Sequence, residues 1–391
     1  MLCRKIAYLQ LINVFMSVTK YFAVFYTEQI YFLPQFLPVA KELQRRGLSY
    51  LIVLKGTTSR DIFDQNSKIV KICELENQPF QLGTKGLENA NVEYLICGGD
   101  EHPNVDISYK KSVLIVHGIG TKLSAFTEEK NKFDIRFVEG DFRLRRLNEL
   151  YPDAKTIWEN VGFSKLDDVL AYKPGEIKKL YNHYGLDQNK KTILYAPTFY
   201  PSSLEKMPDN FPEQFKDYNL IIKPHFFSYI RKKYKNQRRK LEHWAKYDNV
   251  YVAGFDDYNI VPFYALADLL ISDESSVVFE FAALDKPVIL NRFLKLRLTY
   301  RLFGQRKFKK RMEPAMDQFR NLGENIWRYK DLKAAVEEEL INPCNYKDRR
   351  AECTHEIIGP VDGKVSVRMV DLLENLHSIN ASKMKQHEIR A

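Results

Sequence analysis

The sequence predicts an α/β protein of two Rossmann-like domains facing a cleft. Three observations carry that expectation. Apolar strand-like runs alternate with helical patterns along the chain, the alternation breaks once at a polar stretch near the middle, and 391 residues suffice for two cores of ordinary size.

The elements follow in order. "KYFAVFYTE" from Lys20 is an apolar, aromatic run of strand type, "FLPQFLPVAKELQRRG" from Phe32 has helical spacing closed by Gly47, and "LSYLIVLKG" from Leu48 is a second buried strand. Strand, helix, strand predicts a parallel βαβ unit. "NVEYLICGG" (Asn91 to Gly99), "SVLIVHGIG" (Ser112 to Gly120) and "FDIRFVEG" (Phe133 to Gly140) continue the series, followed by helical "DFRLRRLNELY" and the short run "KTIWENVGF". These make a first domain over 1–170.

After the polar, proline-bearing "AYKPGEIKKLYNHYGLDQNKK", a second series runs through "TILYAPTF", "YNLIIKPHF", "NVYVAGF", "DLLISD" and "KPVILN", giving a second domain over 171–365. "DGKVSVRMVDLLENLHSI" then has helical spacing at Val365, Val367, Met369, Val370, Leu372, Leu373 and Leu376, which predicts a closing helix and tail over 366–391. Two such domains around a cleft form the GT-B architecture. In open α/β sheets ligands sit at the carboxyl ends of strands, so chemistry is sought just after each strand.

Composition narrows the function. Five scattered cysteines with no C-x-x-C pair argue against a disulfide framework or a standard zinc site and fit a reducing cytosol. Cys344, Cys353 and His355 lie close in sequence but fall short of a metal ligand set. The opening "MLCRKIAYLQLINVFMSV" resembles a signal peptide superficially, yet Lys20 and Glu28 interrupt its apolarity before a spanning length of about 20 residues. It is read as an extra helix or strand, or a surface anchor.

The net charge of +10 is concentrated in two acid-free runs, Arg231 to Lys240 with seven basic residues and Arg292 to Arg311 with nine; without those sixteen the balance is −6. Such runs suit an anionic partner. In the second, Leu294, Leu296, Leu298, Leu302 and Phe303 interleave with the charges, a mixture that fits an anionic membrane surface better than a nucleic-acid groove.

Several residues stand at strand ends. His117 follows "VLIV" and is trailed by "GIGTK", in which Gly118 and Gly120 allow a tight turn and close ligand approach. A histidine there can act as a general base near neutral pH. In "LIIKPHF", Lys223 and His225 face one way if the chain stays extended, and a cation beside an imidazole can receive a phosphate. "LYAPTFYPSS" sets Thr198 in a loop at the cleft. In "DLLISDESSVVFEFAAL", Asp273, Ser275 or Ser276 can cap the helix that follows, whose first N–H groups then form an anion seat. Glu280, one turn beyond Ser276, is expected within reach of a bound donor's hydroxyls.

Taken together, these pieces resemble the CDP-glycerol glycerophosphotransferase family, the teichoic-acid primases and polymerases. The resemblance rests on "HGIGTK" at His117, "GFSKLD" at Gly162, "ILYAPTF" at Ile193, "IIKPHF" at Ile222, "ISDESSVVFEFAALDKPVI" from Ile271 and the closing "DGKVSVRMV", in family order from about His117 to Val370. The chain departs from the family pattern at Ser164 and Lys165, where Pro and Arg are common, at Glu274 in place of Tyr, and at Tyr200 in place of Arg.

The resemblance implies transfer of glycerol phosphate, or a related alditol phosphate, from a CDP-activated donor to a hydroxyl of a cell-surface polymer or lipid-linked precursor, releasing CMP. It implies His117 and His225 as catalytic residues. Lys223, Asp273, Ser275, Ser276, Glu280 and Thr198 are the expected donor-binding residues, and Gly118, Gly120 and Lys122 the acceptor-side ones. No tightly bound cofactor or metal is expected, with CDP-glycerol as substrate, and the sequence does not indicate a Mg2+ site. The expected partners are the nucleotide-activated donor, an anionic polymer or lipid-linked acceptor, and the inner face of the cell membrane through the two basic runs; nucleic acid is not among them. A GT-B glycosyltransferase using a nucleotide-sugar is the alternative.

Overall fold

The computed structural model describes residues 19–55, 65–99, 104–119, 123–273, 275–296 and 313–388. Among them, thirteen strands form two parallel sheets. The first holds β1 (Lys20–Thr27), β2 (Tyr50–Leu54), β3 (Phe80–Leu82), β4 (Asn91–Cys97), β5 (Tyr109–Ile115), β6 (Ile135–Val138) and β7 (Ile157–Asn160) in the order β3-β2-β1-β4-β5-β6-β7. The second holds β8 (Thr192–Ala196), β9 (Asn219–Ile222), β10 (Val250–Val252), β11 (Leu269–Ser272), β12 (Val288–Asn291) and β13 (Glu324–Ile326) in the order β10-β9-β8-β11-β12-β13. Both are doubly wound, so each has a switch point where the strand order reverses: between β1 and β4, and between β8 and β11. The two-sheet α/β architecture read from the sequence is therefore present.

Helices link the strands: α1 (Leu33–Arg45), α2 (Gln65–Leu75), α3 (Gly140–Leu150), α4 (Lys165–Ala171), α5 (Pro174–His183), α6 (Phe226–Ile230), α7 (Lys235–Trp244), α8 (Val261–Leu266), α9 (Val277–Ala282), α10 (Leu332–Ile341), α11 (Lys347–Ile357) and α12 (Val365–Glu388). The central strands are buried on both faces, as their unbroken apolar runs require. The polar stretch at the middle of the chain contains α5, which buries none of its residues. The edge strands β3 and β13 are three residues each, too short to leave an apolar signal.

One apolar cluster crosses between the halves. Ile119, Phe126, Phe142 and Phe163 of the first pack in it with Leu194, Phe279 and Ile357 of the second. Side chains of this size contribute about 1.5–3 kcal/mol each when fully buried. That cluster holds the two halves together.

The closing helix α12 returns to the first sheet, where Val365, Met369, Val370 and Leu373 join the core that contains β1 and α1. Asp167 holds its start by accepting from the Val365 N–H (3.1 Å) and from the N–H and hydroxyl of Ser366 (both 2.8 Å). Arg368 pairs with Asp362 at 2.8 Å and donates to the Val161 carbonyl at 3.0 Å. The "GFSKLD" and "DG…R" segments thus meet as a structural clasp.

Gly140 opens α3 with φ +70°, and a Cβ there would lie 2.1 Å from the Glu356 carbonyl oxygen of α11. Left-handed strain and overpacking add, so Gly140→Ala is expected to destabilise the fold by about 2–6 kcal/mol. Urea unfolding followed by circular dichroism checks this; a midpoint equal to wild type would contradict the close approach.

Candidate functional site

The carboxyl ends of the two sheets face each other across a cleft of about 450 Å³. His117, Tyr31, Pro34 and Lys165 line it from the first half; Lys223, His225 and Ser275 are among the residues lining it from the second.

On the second half, the switch point is organised by Asp273, fully buried at the end of β11. Its Oδ2 accepts from the Thr198 N–H (3.2 Å), the Ser203 N–H (3.1 Å) and the Ser202 hydroxyl (3.1 Å), tying the loop after β8 to the turn after β11. Burial pushes its carboxyl up to about 7 although those hydrogen bonds pull it down. Asp273 therefore does not cap α9. Neither do the serines: Ser276 occupies the N-cap position of α9 without a side-chain cap bond. Among the described residues, no partner binds the hydroxyl of Ser275 or Ser276, and Ser275 lies on the cleft wall.

Beyond β9 the chain stays extended, and Lys223 and His225 both reach the cleft as period-two alternation predicts. Among the described residues, the Lys223 ammonium has no hydrogen-bond or ion-pair partner; the Asp257 carboxylate acts on it only at a distance, and burial lowers its pKa to about 8. His225 is the N-cap of α6, and its Nδ1 accepts from the Phe227 N–H at 3.1 Å. An accepting Nδ1 places the proton of the neutral ring on Nε2, as a donor.

On the first half, His117 follows β5, and its ring lies 4.8 Å from that of Tyr31 and 5.3 Å from that of Phe32. Its Nδ1 sits 3.4 Å from the Gly98 carbonyl, an acceptor only, so the neutral ring carries its proton on Nδ1 and Nε2 is basic. Gly98 is required there, because a Cβ would come within 2.7 Å of the Phe32 ring. The two histidines are thus held in opposite tautomers. A Cβ at Gly118 would stand 3.4 Å from Ser276 Oγ, so the glycine turn of the first half approaches the serine turn of the second at van der Waals distance.

Besides the fully buried Asp273, which does not line the cleft, two more expected donor-binding residues sit elsewhere. Glu280 does not face a ligand: it is buried, and its Oε2 accepts from Lys165 Nζ (2.9 Å) and the Tyr264 hydroxyl (2.9 Å). The reason is that α9 is buried along its length, Val278 to Ala282, so the turn after Ser276 points inward. Thr198 contributes its N–H to Asp273, while its neighbours Pro197 and Phe199 line the cleft. Gly120, Lys122 and Glu274 lie outside the described residues, as do residues 1–18 and 297–312. Of the first basic run, Arg238 serves the carbonyls of Ser228, Tyr229 and Arg231, and Lys240 that of Met207, while Lys232, Lys233, Lys235 and Arg239 are exposed.

Sequence reasoning missed Tyr31, Pro34 and Tyr258 as lining residues. The usable signal was position: each follows a strand, β1 or β10, at its carboxyl end. Among the described residues, no three His, Cys, Asp or Glu side chains converge as a metal site, and no helix is long and apolar enough to cross a membrane.

Comparison with known proteins gives a family and a fold. Residues 108–374 match the family model for CDP-Glycerol:Poly(glycerophosphate) glycerophosphotransferase. The teichoic acid glycerol-phosphate primase of Bacillus spizizenii is 34% identical over 110 residues, 28% of this chain and 27% of that protein. The teichoic acid poly(glycerol phosphate) polymerase of the same organism is 29% identical over 178 residues, 42% of each chain. The match thus spans about a quarter of the primase's length and two-fifths of the polymerase's. Among solved structures, a variant of the wall teichoic acid polymerase TagF soaked with CDPG superposes with a TM-score of 0.64 at 14% identity, covering 93% of this chain and 90% of that one, a likeness of fold.

Proposed function

The chain belongs to the CDP-glycerol:poly(glycerophosphate) glycerophosphotransferase family, and from that premise we propose that it transfers glycerol phosphate, or a related alditol phosphate, from a CDP-activated donor to a hydroxyl of a cell-surface polymer or its lipid-linked precursor. The observation that carries the reading is the pair of histidines in opposite tautomers on facing walls, with an ammonium beside one of them that has no partner among the described residues.

The donor's diphosphate is placed against Lys223, the Ser275 and Ser276 hydroxyls and the Nε2–H of His225. His117 Nε2 accepts the proton of the acceptor hydroxyl as its oxygen bonds to the β-phosphorus. The bond between that phosphorus and the bridging oxygen breaks, and CMP leaves with the electron pair while His225 and Lys223 neutralise its growing charge. Such transfer depends on positioning and charge neutralisation, which these groups supply. Exposed Lys232, Lys233, Lys235 and Arg239 suit an anionic polymer or the anionic inner face of the membrane, where the protein would sit peripherally.

Calorimetric titration tests the donor. CDP-glycerol and CDP are expected to bind, UDP-sugars to bind at least tenfold more weakly; preference for a UDP-sugar would favour a nucleotide-sugar glycosyltransferase instead.

The lysine gives a pH signature. A bound diphosphate stabilises the ammonium and raises its pKa, so binding takes up a proton near pH 8. Affinity is full below about 8 and is expected to weaken about tenfold per unit above it, until the pKa of the complex is reached. In Lys223→Met the affinity is lower throughout and this slope is gone. Titrations between pH 7 and 9.5 check it; a wild-type affinity constant across that range would contradict it.

A further inference from the structure

Lys165 belongs to no expected part of the site, yet it lines the cleft and is buried. It opens α4 on the first-domain side, while its Nζ ion-pairs at 2.9 Å with Glu280 of α9, on the second. Glu280 stands one helical turn beyond Ser276 and also accepts from Tyr264 of α8. The other end of Lys165 is fixed as firmly. Its N–H donates to Gln35 Oε1 at 3.1 Å, and the hydroxyl of Ser164 donates to the Gln35 carbonyl at 2.9 Å and also contacts Gln35 Oε1.

Gln35 lies on α1, directly after the segment whose Tyr31 and Phe32 pack the His117 ring. A continuous set of contacts therefore runs from His117 through α1 and Lys165 to Glu280 and α9. It closes where the Gly118 turn meets Ser276.

We propose that Lys165 is a positioning residue for group transfer: through Glu280 it fixes the Ser275–Ser276 turn of the second domain against the His117 wall of the first. The proposal rests on the glycerophosphotransferase reading for its catalytic consequence. Its structural half does not. A buried ion pair is retained only when both partners stay matched, and removing one leaves the other charge uncompensated. In Lys165→Met/Glu280→Gln no buried charge is left over, so that variant keeps its fold while losing the link.

The test combines hydrogen–deuterium exchange over residues 275–282 with steady-state kinetics on CDP-glycerol. In Lys165→Met, Glu280→Gln and the double variant, exchange of that segment is expected to rise at least tenfold and kcat to fall about a hundredfold, with donor KM rising by no more than about tenfold because Lys223 and His225 still hold the diphosphate. The double variant is expected to be no worse than either single one, because the pair acts as a unit. Lys165→Arg, which can still bind the carboxylate, is expected to restore both readouts to within about fivefold.

Three results would overturn the proposal: unchanged exchange in the double variant, wild-type kcat despite raised exchange, or a Lys165→Met defect confined to donor KM with Glu280→Gln silent. The last would make Lys165 a donor ligand. Should wild type release no CMP from CDP-glycerol, the functional reading falls, and the exchange result alone decides whether Lys165 fixes the turn.

Discussion

His117→Ala is expected to abolish turnover, lowering kcat by about 10²–10⁴, the range a positioned general base contributes. Donor affinity should stay within threefold of wild type, because the diphosphate is placed against the opposite wall. The split follows from the tautomer. With Nδ1 directed at the Gly98 carbonyl, Nε2 is the basic nitrogen, and no other imidazole lines the first-domain side of the cleft among the described residues. The half-buried ring packs on Tyr31 and Phe32, so removing it should leave the fold intact. Stopped assays of CMP formation together with calorimetry of CDP check both halves. Retained turnover, or loss of CDP binding, would contradict the assignment.

His225→Asn is expected to show the second large effect, a fall in kcat of about 10²–10³, the size seen when one preorganised donor to developing charge is removed. The choice of asparagine separates two jobs of this residue. His225 caps α6 through Nδ1, and asparagine is a good N-cap, so its side-chain oxygen can keep the bond to the Phe227 N–H. What it loses is the Nε2–H donor. Melting should therefore match wild type, donor affinity should weaken by about three- to tenfold, and turnover should collapse. Wild-type turnover in a folded His225→Asn protein would show that His225 is only a cap.

Much of the fold could be read directly, and the reason is physical. Strands buried on both faces leave unbroken apolar runs such as "TILYA" and "LLIS", and a strand's carboxyl end is where a parallel sheet exposes side chains to a ligand. That rule predicts His117, Lys223, His225 and Ser275 at strand ends, and the structure brings them to one cleft.

Other features depend on contacts that local pattern does not encode. Glu280 looks like a helix-face acid, but its neighbours are buried all round, and its partner Lys165 lies 115 residues upstream. Asp273 looks like a helix cap and instead ties down a loop some 70 residues earlier. The closing helix shows its apolar stripe clearly, yet not that the stripe belongs to the first core; Asp167 and Tyr94 hold it there, the latter donating to the Leu373 carbonyl at 2.8 Å. The resemblance carried "GFSKLD" and "DG…R" as family marks far apart in sequence, and only the structure shows Asp167 and Arg368 bringing them together.

The most direct measurement of the central claim is the nucleotide released by purified wild-type protein offered CDP-glycerol, CDP-ribitol, UDP-sugars and GDP-sugars with an isolated teichoic acid acceptor. CMP is expected from a CDP-alditol, formed in step with new phosphodiester on the acceptor and suppressed by at least a hundredfold in both His117→Ala and His225→Asn. Release of UDP or GDP with no CMP from any CDP-alditol would contradict it.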